Sequence, residues 1–260
     1  MIELSLPELA EETIEDFIRN FSNGKRVVIG LSGGIDSTLV LYLLVKAIGK
    51  ENVIGIHLPE KTTDPKDTED VKKIASINGI DLIIEHLDDY VQPFKKNIND
   101  IRILGNVKAR LRMVYLYSIS NSIGGLVSGT SNKSELLTGY FTKYGDGAAD
   151  FYPIGDLYKT QVRLLAKKIG IPEEIINKIP TAGLWENQTD ETELGISYDD
   201  LDKILYGIEQ LYDDIKIHEE TNIPIEKIKY VRNLVDKTKH KRNVYIPKIG
   251  IRTVGLDWRE

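Results

Sequence analysis

The sequence predicts an α/β fold: a doubly wound, mainly parallel sheet flanked by helices, with extra helices towards the C-terminus. Three observations predict it. Short apolar runs alternate with helical patterns through the first half of the chain. The first run, 27–31, is apolar throughout, which is typical of a strand buried on both faces of a parallel sheet. Beyond residue 159, helical patterns dominate.

Four strands are predicted from short apolar runs. A helical pattern separates each run from the next, so the strands need crossover connections and are expected to run parallel, with right-handed crossovers. The predicted strands cover 27–31, 53–58, 82–84 and 125–128.

Helices are predicted before, between and after these strands. Residues 38–48 place apolar side chains at helical spacing, and Gly49 ends that helix. The long amphipathic stretch 98–122 is explained either by core packing or by a subunit interface. The predicted helices cover 8–21, 38–48, 64–78, 98–122, 159–169, 198–211 and 225–237.

Two glycine- and polar-rich stretches, 141–150 and 181–195, interrupt the helical patterns. Loops of this length in a compact domain are often binding loops, and a plain surface connection is the alternative. With 260 residues, the chain is expected to form a single domain over 1–260. Its core is expected at about 22–180, with a helical and basic C-terminal segment at about 196–260.

Composition narrows the class of protein. Hydrophobic residues make up 41% and charged residues 28%, which is ordinary for a soluble protein. No apolar run approaches the ~20 residues that span a membrane, and the first residues lack a secretory pattern. The cytoplasm is therefore expected, without a membrane partner. The net charge of −6 argues against a nucleic-acid partner.

The absence of cysteine excludes disulfides, thiolate metal sites and a cysteine nucleophile from this chain. Glutamine-hydrolysing amidotransferases usually need such a nucleophile. Any amide nitrogen handled here is therefore expected to come from free ammonia or from another subunit.

The loop after the first predicted strand predicts an anion site. It reads Ser32-Gly33-Gly34-Ile35-Asp36-Ser37 and leads into a helix. A strand, a glycine turn and a helix start present unpaired N–H groups, reinforced by the helix dipole. The glycines permit close backbone approach, and the serines add hydroxyl donors. Because Asp36 would repel a phosphate, its expected role is to hold a Mg²⁺ that bridges phosphate oxygens.

This string is not a Walker motif, since no Gly-Lys-Ser/Thr ends it. It resembles the pyrophosphate-binding loop of the N-type ATP pyrophosphatase superfamily. That resemblance implies that ATP is split between its α- and β-phosphates. A substrate oxygen attacks the α-phosphorus, pyrophosphate leaves, and a nucleophile then displaces AMP.

A second block resembles the signature of ammonia-dependent NAD⁺ synthetases. It covers 129–150 and reads GTSNKSELLTGYFTKYGDGAAD, and further matches follow in order at 157–161, 180–184, 190–199 and 240–242. The resemblance implies an adenine nucleotide alpha hydrolase-like fold. It implies amidation of deamido-NAD (nicotinic acid adenine dinucleotide) to NAD⁺ with ammonia, through an adenylated carboxylate. It also implies ATP as co-substrate, Mg²⁺ as cofactor, AMP and pyrophosphate as products, and a homodimer.

The same resemblance assigns Asp36, Glu135 and Lys159 as catalytic residues. Asp36 and Glu135 are the implied Mg²⁺ ligands, and the carboxyl ends of the first and fourth strands are expected to bring them together. Lys159 is an implied contact to the ATP phosphates that stabilises the leaving pyrophosphate. The implied ATP-binding residues are Gly30, Leu31, Ser32, Gly33, Gly34, Ile35, Asp36, Ser37, Thr130, Lys159 and Thr181.

The resemblance also gives a ligand to the basic cluster 237–242, which alone favours a solvated helix end. Arg112 is expected to point away from the substrate, because it lies two residues from a matched arginine on one helix. His57 and His86 match no chemical position and are expected to be ordinary strand-end histidines. The implied deamido-NAD-binding residues are Arg110, Lys143, Asp150, His240 and Lys241.

Two segments depart from the family pattern. Residues 131–134 replace an Asp-His-Ala-Ala sequence, and the added Lys133 is expected to alter the charge near the metal. Residues 184–188 replace an acidic, proline-containing loop. Neither change is expected to touch a residue with an assigned role. Asp146 and Asp150 are, by location alone, candidates for the base that deprotonates ammonium.

Two other functions remain open. Another ATP-splitting enzyme of the superfamily, such as a GMP synthetase or a tRNA-thiolating enzyme, would share the glycine loop. The thiolating enzyme would need cysteines and a basic RNA surface. A nucleotide-binding sensor would keep the fold without the chemistry, although the second carboxylate, Glu135, argues against it.

Overall fold

The structure is a computed structural model that describes residues 2–181, 183–185 and 188–245. Across these residues, one parallel sheet has the strand order β3-β2-β1-β4. The parallel sheet predicted from the apolar runs is confirmed, and every strand end lies within about one residue of its predicted position. The strands are β1 (Val27–Gly30), β2 (Val53–His57), β3 (Asp81–Ile84) and β4 (Leu126–Ser128).

The strand order creates a switch point between β1 and β4. The chain builds β1, β2 and β3 outward in one direction and then returns to place β4 on the other side of β1. Val27 pairs in register with Val53 of β2 and with Leu126 of β4. Doubly wound sheets bind their ligands at such a switch point, outside the carboxyl ends of the strands.

Helices cover both faces of the sheet and then form a group of their own. Asp64 and Asp100 begin two of them as N-caps, each accepting a hydrogen bond from a backbone N–H at 2.9 and 2.8 Å. The helices are α1 (Ala10–Ser22), α2 (Ile35–Ile48), α3 (Pro65–Asn78), α4 (Asp88–Lys95), α5 (Ile101–Ser122), α6 (Lys133–Thr138), α7 (Lys159–Lys168), α8 (Glu173–Ile176), α9 (Asp190–Leu194), α10 (Tyr198–Glu209), α11 (Asp214–Thr221), α12 (Ile225–Lys237) and α13 (Lys239–Arg242).

Three apolar clusters hold these layers together. On one face of the sheet, Ile29 packs with α1, α2 and α7, and on the other, Val28 and Ile56 pack with α5. The C-terminal helices have a core of their own, in which α10 and α12 bury Leu201 and Val231. This second core packs against α6 and α7. The C-terminal helices therefore adjoin the edge of the sheet where ligands are expected.

Some predicted element bounds are wrong. The helix predicted over 98–122 begins at Ile101, because Asp100 caps it, and a separate helix, α4, precedes it. The helix predicted from residue 38 begins at Ile35, because the end of the glycine loop already forms its first turn. The short helices α4, α6, α8, α9, α11 and α13 span too few turns to show a helical period in the sequence.

The expected domain boundaries stay a prediction. Residues 246–260 of the expected C-terminal segment lie outside the described residues, as do Ala182, Glu186 and Asn187. Among the described helices, none combines the length and the apolar character needed to cross a membrane.

Candidate active site

The glycine loop lies at the carboxyl end of β1 and is tightly held. Leu31 N donates a hydrogen bond to Ile56 O of the neighbouring strand at 2.8 Å. Gly33 has a φ of +81° and passes so close to α3 that an added Cβ would lie 2.9 Å from the carbonyl oxygen of Asp67. A left-handed backbone and this close approach together require glycine.

The start of α2 presents unpaired backbone donors. Gly34 occupies the N-cap position and has no side chain with which to cap the helix. The N–H groups of Ile35, Asp36 and Ser37 make no hydrogen bond with any described residue. The helix dipole adds about half a positive charge at this end. The loop therefore has the unpaired donors and the dipole that the predicted anion site requires.

The three predicted catalytic side chains meet beside this loop. Asp36 lies in the first turn of α2, Glu135 in the first turn of α6 and Lys159 at the first residue of α7. The Lys159 ammonium donates a hydrogen bond to the Asp36 carboxylate and lies 3.8 Å from Glu135 Oε1. The lysine side chain is only 2% exposed, so a fixed cation sits between the two carboxylates.

Asn132 joins the two carboxylates, and it is not among the residues predicted from the sequence. Its Nδ2 donates to Asp36 Oδ1 at 2.9 Å, and its Oδ1 accepts from Glu135 N at 3.0 Å. The Glu135 carboxylate accepts in turn from Asn132 N at 3.3 Å, which completes a capping box. An asparagine followed three residues later by a glutamate is a capping-box pattern, so the sequence did contain an indication.

Burial and charge shift the pKa values in this cluster. Burial raises the pKa of Glu135 well above its ordinary value, and the negative charges of Asp36 and Asp190 add to the shift. Burial opposes the charged form of Lys159, but the carboxylates of Asp36 and Glu135 outweigh it and raise the lysine pKa. Burial also raises the pKa of Asp190. The carboxyl groups of Asp36 and Glu135 share the one Lys159 ammonium, so a bound cation would offset the negative charge of their ionised forms.

The donor set fits Mg²⁺. Carboxylate oxygens are the ligands that this hard cation prefers. Within the described part of the chain, no three His, Asp or Glu side chains converge so that they alone would hold a metal. An Mg²⁺ ion would take Asp36 and Glu135 from the protein and its remaining ligands from phosphate oxygens and water. That division of ligands is usual for Mg²⁺ at phosphate sites.

The two predicted threonine contacts lie on segments that border the cluster. Thr130 is half-buried and follows the carboxyl end of β4. Thr181 is exposed, and its Oγ1 accepts a hydrogen bond from Gly183 N at 3.1 Å. Asp190 N donates to Pro180 O at 3.0 Å, which ties this segment to the start of α9.

Four of the residues predicted to bind deamido-NAD lie near one another. The Lys143 ammonium donates to the carbonyl oxygen of His240, and Lys241 Nζ donates to two main-chain carbonyl oxygens at 2.6 and 2.7 Å. Burial lowers the pKa of Lys241, and the positive charge of Arg110 adds to this shift. The helix α5 therefore brings Arg110 towards the basic C-terminal cluster.

Among the described contacts, Asp150 bonds to none of these four residues. Its Oδ2 accepts a hydrogen bond from Val127 N at 2.7 Å, and its Oδ1 accepts one from the Tyr117 hydroxyl at 3.2 Å. The carboxylate thereby holds β4 against α5. As expected, Arg112 turns elsewhere and pairs with Glu60 at 3.0 Å.

Comparison with known proteins decides the family. A model described as NAD synthase matches residues 8–245. The chain belongs to the NAD synthase family. The NH₃-dependent NAD⁺ synthetase of Methanocaldococcus jannaschii is 49% identical over 250 residues, which are 92% of this chain and 96% of that protein.

Solved structures of other NAD synthase relatives share the fold. An NMN synthetase from Francisella tularensis matches with a TM-score of 0.83 and 30% identity, over 95% of this chain and 100% of that one. An NH₃-dependent NAD synthetase from Campylobacter jejuni matches with a TM-score of 0.77 and 33% identity, over 92% and 96% of the two chains. The predicted family, its adenine nucleotide alpha hydrolase-like fold and its ligase class are thus confirmed.

The departure at 131–134 from the NAD synthase pattern needs two corrections. Lys133 does not alter the charge near Asp36, because its Nζ pairs with Asp156 and Glu209, each at 2.8 Å. The expectation that the departure touches no residue with an assigned role is also wrong. Asn132 bonds directly to Asp36, a predicted catalytic residue, so this segment forms part of the candidate site.

Lys178 supports the glycine loop from outside, and it is not among the residues predicted from the sequence. Its Nζ donates to Gly33 O at 3.1 Å and pairs with Asp67 and Asp70 of α3 at 2.7 and 2.6 Å. The lysine therefore joins three segments that are distant in the sequence, which no local pattern reveals.

His57 supports the loop from within the sheet. Its Nδ1 lies 2.7 Å from Leu31 O, and its Nε2 lies 2.9 Å from the Thr68 hydroxyl. Burial lowers the pKa of His57, which favours the neutral ring. The ring therefore has a structural role, in line with the expectation from the sequence, and it supports Leu31 at the start of the glycine loop.

Proposed function

We propose that this chain converts deamido-NAD to NAD⁺ with ATP and ammonia, through an adenylated carboxylate, and releases AMP and pyrophosphate. The observation that carries the proposal is the buried Lys159 ammonium between Asp36 and Glu135, beside the unpaired N–H groups of the glycine loop. An anion site next to a fixed cation favours a reaction in which pyrophosphate leaves. The 49% identity to an NH₃-dependent NAD⁺ synthetase supports the choice of substrate.

The proposed ATP site combines the glycine loop, from Gly30 to Ser37, with Thr130, Lys159 and Thr181. The N–H groups at the start of α2 bind phosphate oxygens, and Lys159 Nζ stabilises the charge that builds on the leaving pyrophosphate. Mg²⁺ is the proposed cofactor at Asp36 and Glu135, where it supplies neutralisation of phosphate charge. Burial of the cluster keeps water from the acyl-adenylate, which is easily hydrolysed.

The proposed deamido-NAD site consists of Arg110, Lys143, Asp150, His240 and Lys241. Arg110 is exposed. The one hydrogen bond that its guanidinium makes to a described residue is a long contact of 3.5 Å with Asn106 O. Most of its five N–H donors are therefore available to an anionic substrate group. Lys143 and Lys241 already donate to main-chain carbonyl oxygens, so their proposed role is to hold the backbone around Arg110 in place.

We also propose a homodimer that uses the outer face of α5. Ile103 and Val114 are 53% and 57% exposed, and they share this face with Arg110 at helical spacing. Apolar side chains grouped on an exposed face mark an interaction surface. A partner on this face would border Arg110 and so lie beside the substrate. The proposed location is the cytoplasm, where the co-substrate ATP is available.

One alternative substrate has a specific observation behind it. A solved relative with a TM-score of 0.83 is an NMN synthetase. Nicotinic acid mononucleotide is therefore the alternative acceptor. That relative is 30% identical to this chain, whereas the NH₃-dependent NAD⁺ synthetase above is 49% identical. The difference favours the dinucleotide.

The test mixes purified protein with ATP, Mg²⁺, ammonium and either acceptor, and quantifies NAD⁺, NMN, AMP and pyrophosphate. We expect NAD⁺ and AMP in equal amounts from the dinucleotide. Asp36→Asn and Glu135→Gln should abolish AMP formation because each removes a carboxylate of the cluster. Glu174→Gln, which changes an exposed carboxylate on α8, is the matched control and should keep full activity. Formation of ADP, or preference for the mononucleotide, contradicts the proposal.

A further inference from the structure

A carboxylate from the C-terminal helices holds the backbone of Lys159. Asp202 lies in α10 and is fully buried. Its Oδ2 accepts a hydrogen bond from Thr160 N at 2.8 Å, and its Oδ1 accepts one from the Ser134 hydroxyl. Ser134 Oγ accepts in turn from Lys159 N at 3.0 Å. The first two N–H groups of α7 are therefore both connected to Asp202, the second directly and the first through Ser134.

Among the described contacts, no side chain of α7 itself accepts a hydrogen bond from the N–H groups of Lys159 and Thr160. Tyr158 occupies the N-cap position but makes no side-chain cap hydrogen bond, and its hydroxyl donates to Glu209 of α10. A helix start leaves N–H groups that need acceptors, and a carboxylate there interacts favourably with the helix dipole. Asp202 thus caps α7 from a different helix.

We propose that Ser134 and Asp202 form a positioning pair that fixes Lys159 between Asp36 and Glu135. Ser134 directly precedes Glu135 in α6, so the same contacts hold the lysine and one of its carboxylates. The pair makes α10 a functional part of the site. This inference rests on the proposed role of Lys159 in splitting ATP.

The position of Lys159 matters because its ammonium must meet charge that develops on the leaving pyrophosphate. A displacement of about 1 Å in a catalytic group can cost about 10²-fold in rate. If Ser134 and Asp202 no longer accept hydrogen bonds from the first N–H groups of α7, the first turn of this helix can shift. Most of the proposed substrate contacts, namely the N–H groups of the glycine loop and the basic C-terminal cluster, lie outside the first turn of α7. The pair should therefore act chiefly on kcat.

The test compares Ser134→Ala and Asp202→Asn with two control variants on α10. Ser197→Ala removes the hydroxyl that caps α10, and Asp200→Asn removes a carboxylate that pairs with Lys227 of α12. Neither control side chain bonds to α6 or α7 among the described contacts. The measurements are kcat for AMP formation, KM for ATP and for deamido-NAD, and the unfolding temperature of each variant.

We expect Ser134→Ala and Asp202→Asn each to lower kcat by about 10- to 100-fold, with KM values close to those of the unmodified protein. The double variant should lose less than two independent effects would give, because both contacts hold the same first turn of α7 and share the bond between Ser134 and Asp202. Both controls should keep kcat, even where Ser197→Ala lowers the unfolding temperature.

Unchanged kcat in Ser134→Ala overturns the inference, as do equal losses in Ser197→Ala or independent losses in the double variant. Ser134→Ala removes a single hydroxyl, so it decides the matter even where Asp202→Asn fails to fold. A separate failure is also recognisable. If the unmodified protein forms no AMP with deamido-NAD, the proposed function is wrong, whatever the variants do.

Discussion

The amide of Asn132 sets the spacing of the charged cluster. It donates to Asp36 and accepts from Glu135 N, so one uncharged side chain satisfies two partners. An amide offers a donor and an acceptor together, which neither a carboxylate nor an ammonium does. Its removal would leave buried polar groups without partners, at a cost of about 1–3 kcal/mol each. The residue is therefore expected to govern both geometry and stability.

We expect Asn132→Ala to lower kcat for AMP formation by about 10²-fold, because Asp36 and Glu135 lose their common partner. Asn132→Asp should also be impaired, since it restores the shape but adds a charge that repels Asp36. Asn52→Ala is the matched control, because that amide donates to Ile48 O at 2.7 Å, far from the cluster. Normal turnover in Asn132→Ala, or an equal loss in the control, would contradict this role.

Elements were predictable wherever a physical pattern repeats over enough residues. The helix α12 has the bounds read from its apolar spacing, and the buried strands follow from their apolar runs. The helices α6 and α9 have six and five residues, too few to show a period, although they carry Glu135 and Asp190. Lys178 and Asp202 act across distant segments, so only the folded chain shows their contacts. The recognised motifs contain Asp36, Glu135 and Lys159, which the fold brings together, but they do not contain Lys178 or Asp202.

The glycine loop depends on one backbone angle and one close approach. Gly33 has a φ of +81°, and the Asp67 carbonyl oxygen would meet an added Cβ at 2.9 Å. Lys178 fixes this approach by bonding to both residues. The chain also contains Gly24, with a φ of +78° and no atom within 4 Å of an added Cβ. A comparison of substitutions at Gly33 and Gly24 therefore separates the effect of the positive φ from that of the close contact with Asp67.

Gly33→Ala and Gly24→Ala should each lower the free energy of unfolding by about 1–2 kcal/mol, because alanine resists the left-handed region. Only Gly33→Ala should also raise KM for ATP, since its loop must move away from α3. Urea unfolding and ATP titration of the initial rate measure the two effects. Normal ATP affinity in Gly33→Ala would show that the loop tolerates displacement.

The candidate site uses residues beside the sheet and residues of the C-terminal helices, and α6 connects these two parts. Asn132 and Ser134 hold the start of α6, whereas its end is held by cations of the C-terminal helices. Arg242 donates to the Leu137 carbonyl oxygen, and Lys241 donates to the Gly139 carbonyl oxygen. Cations at a helix end satisfy free carbonyls and complement the dipole. The basic C-terminal cluster therefore links the proposed substrate site to the helix that carries Glu135, the proposed metal ligand.

The proposed dimer extends this connection to a second subunit. Val114→Lys places a charge on the outer face of α5, so we expect a monomer and a higher KM for deamido-NAD, because the face borders Arg110. KM for ATP should change little. Ile77→Lys on α3 is the matched control, since Ile77 and Val114 are both 57% exposed. Sedimentation velocity at micromolar protein concentration measures the assembly. A monomeric unmodified protein would remove the dimer from the proposal, and a dimeric Val114→Lys variant would place the interface on another face.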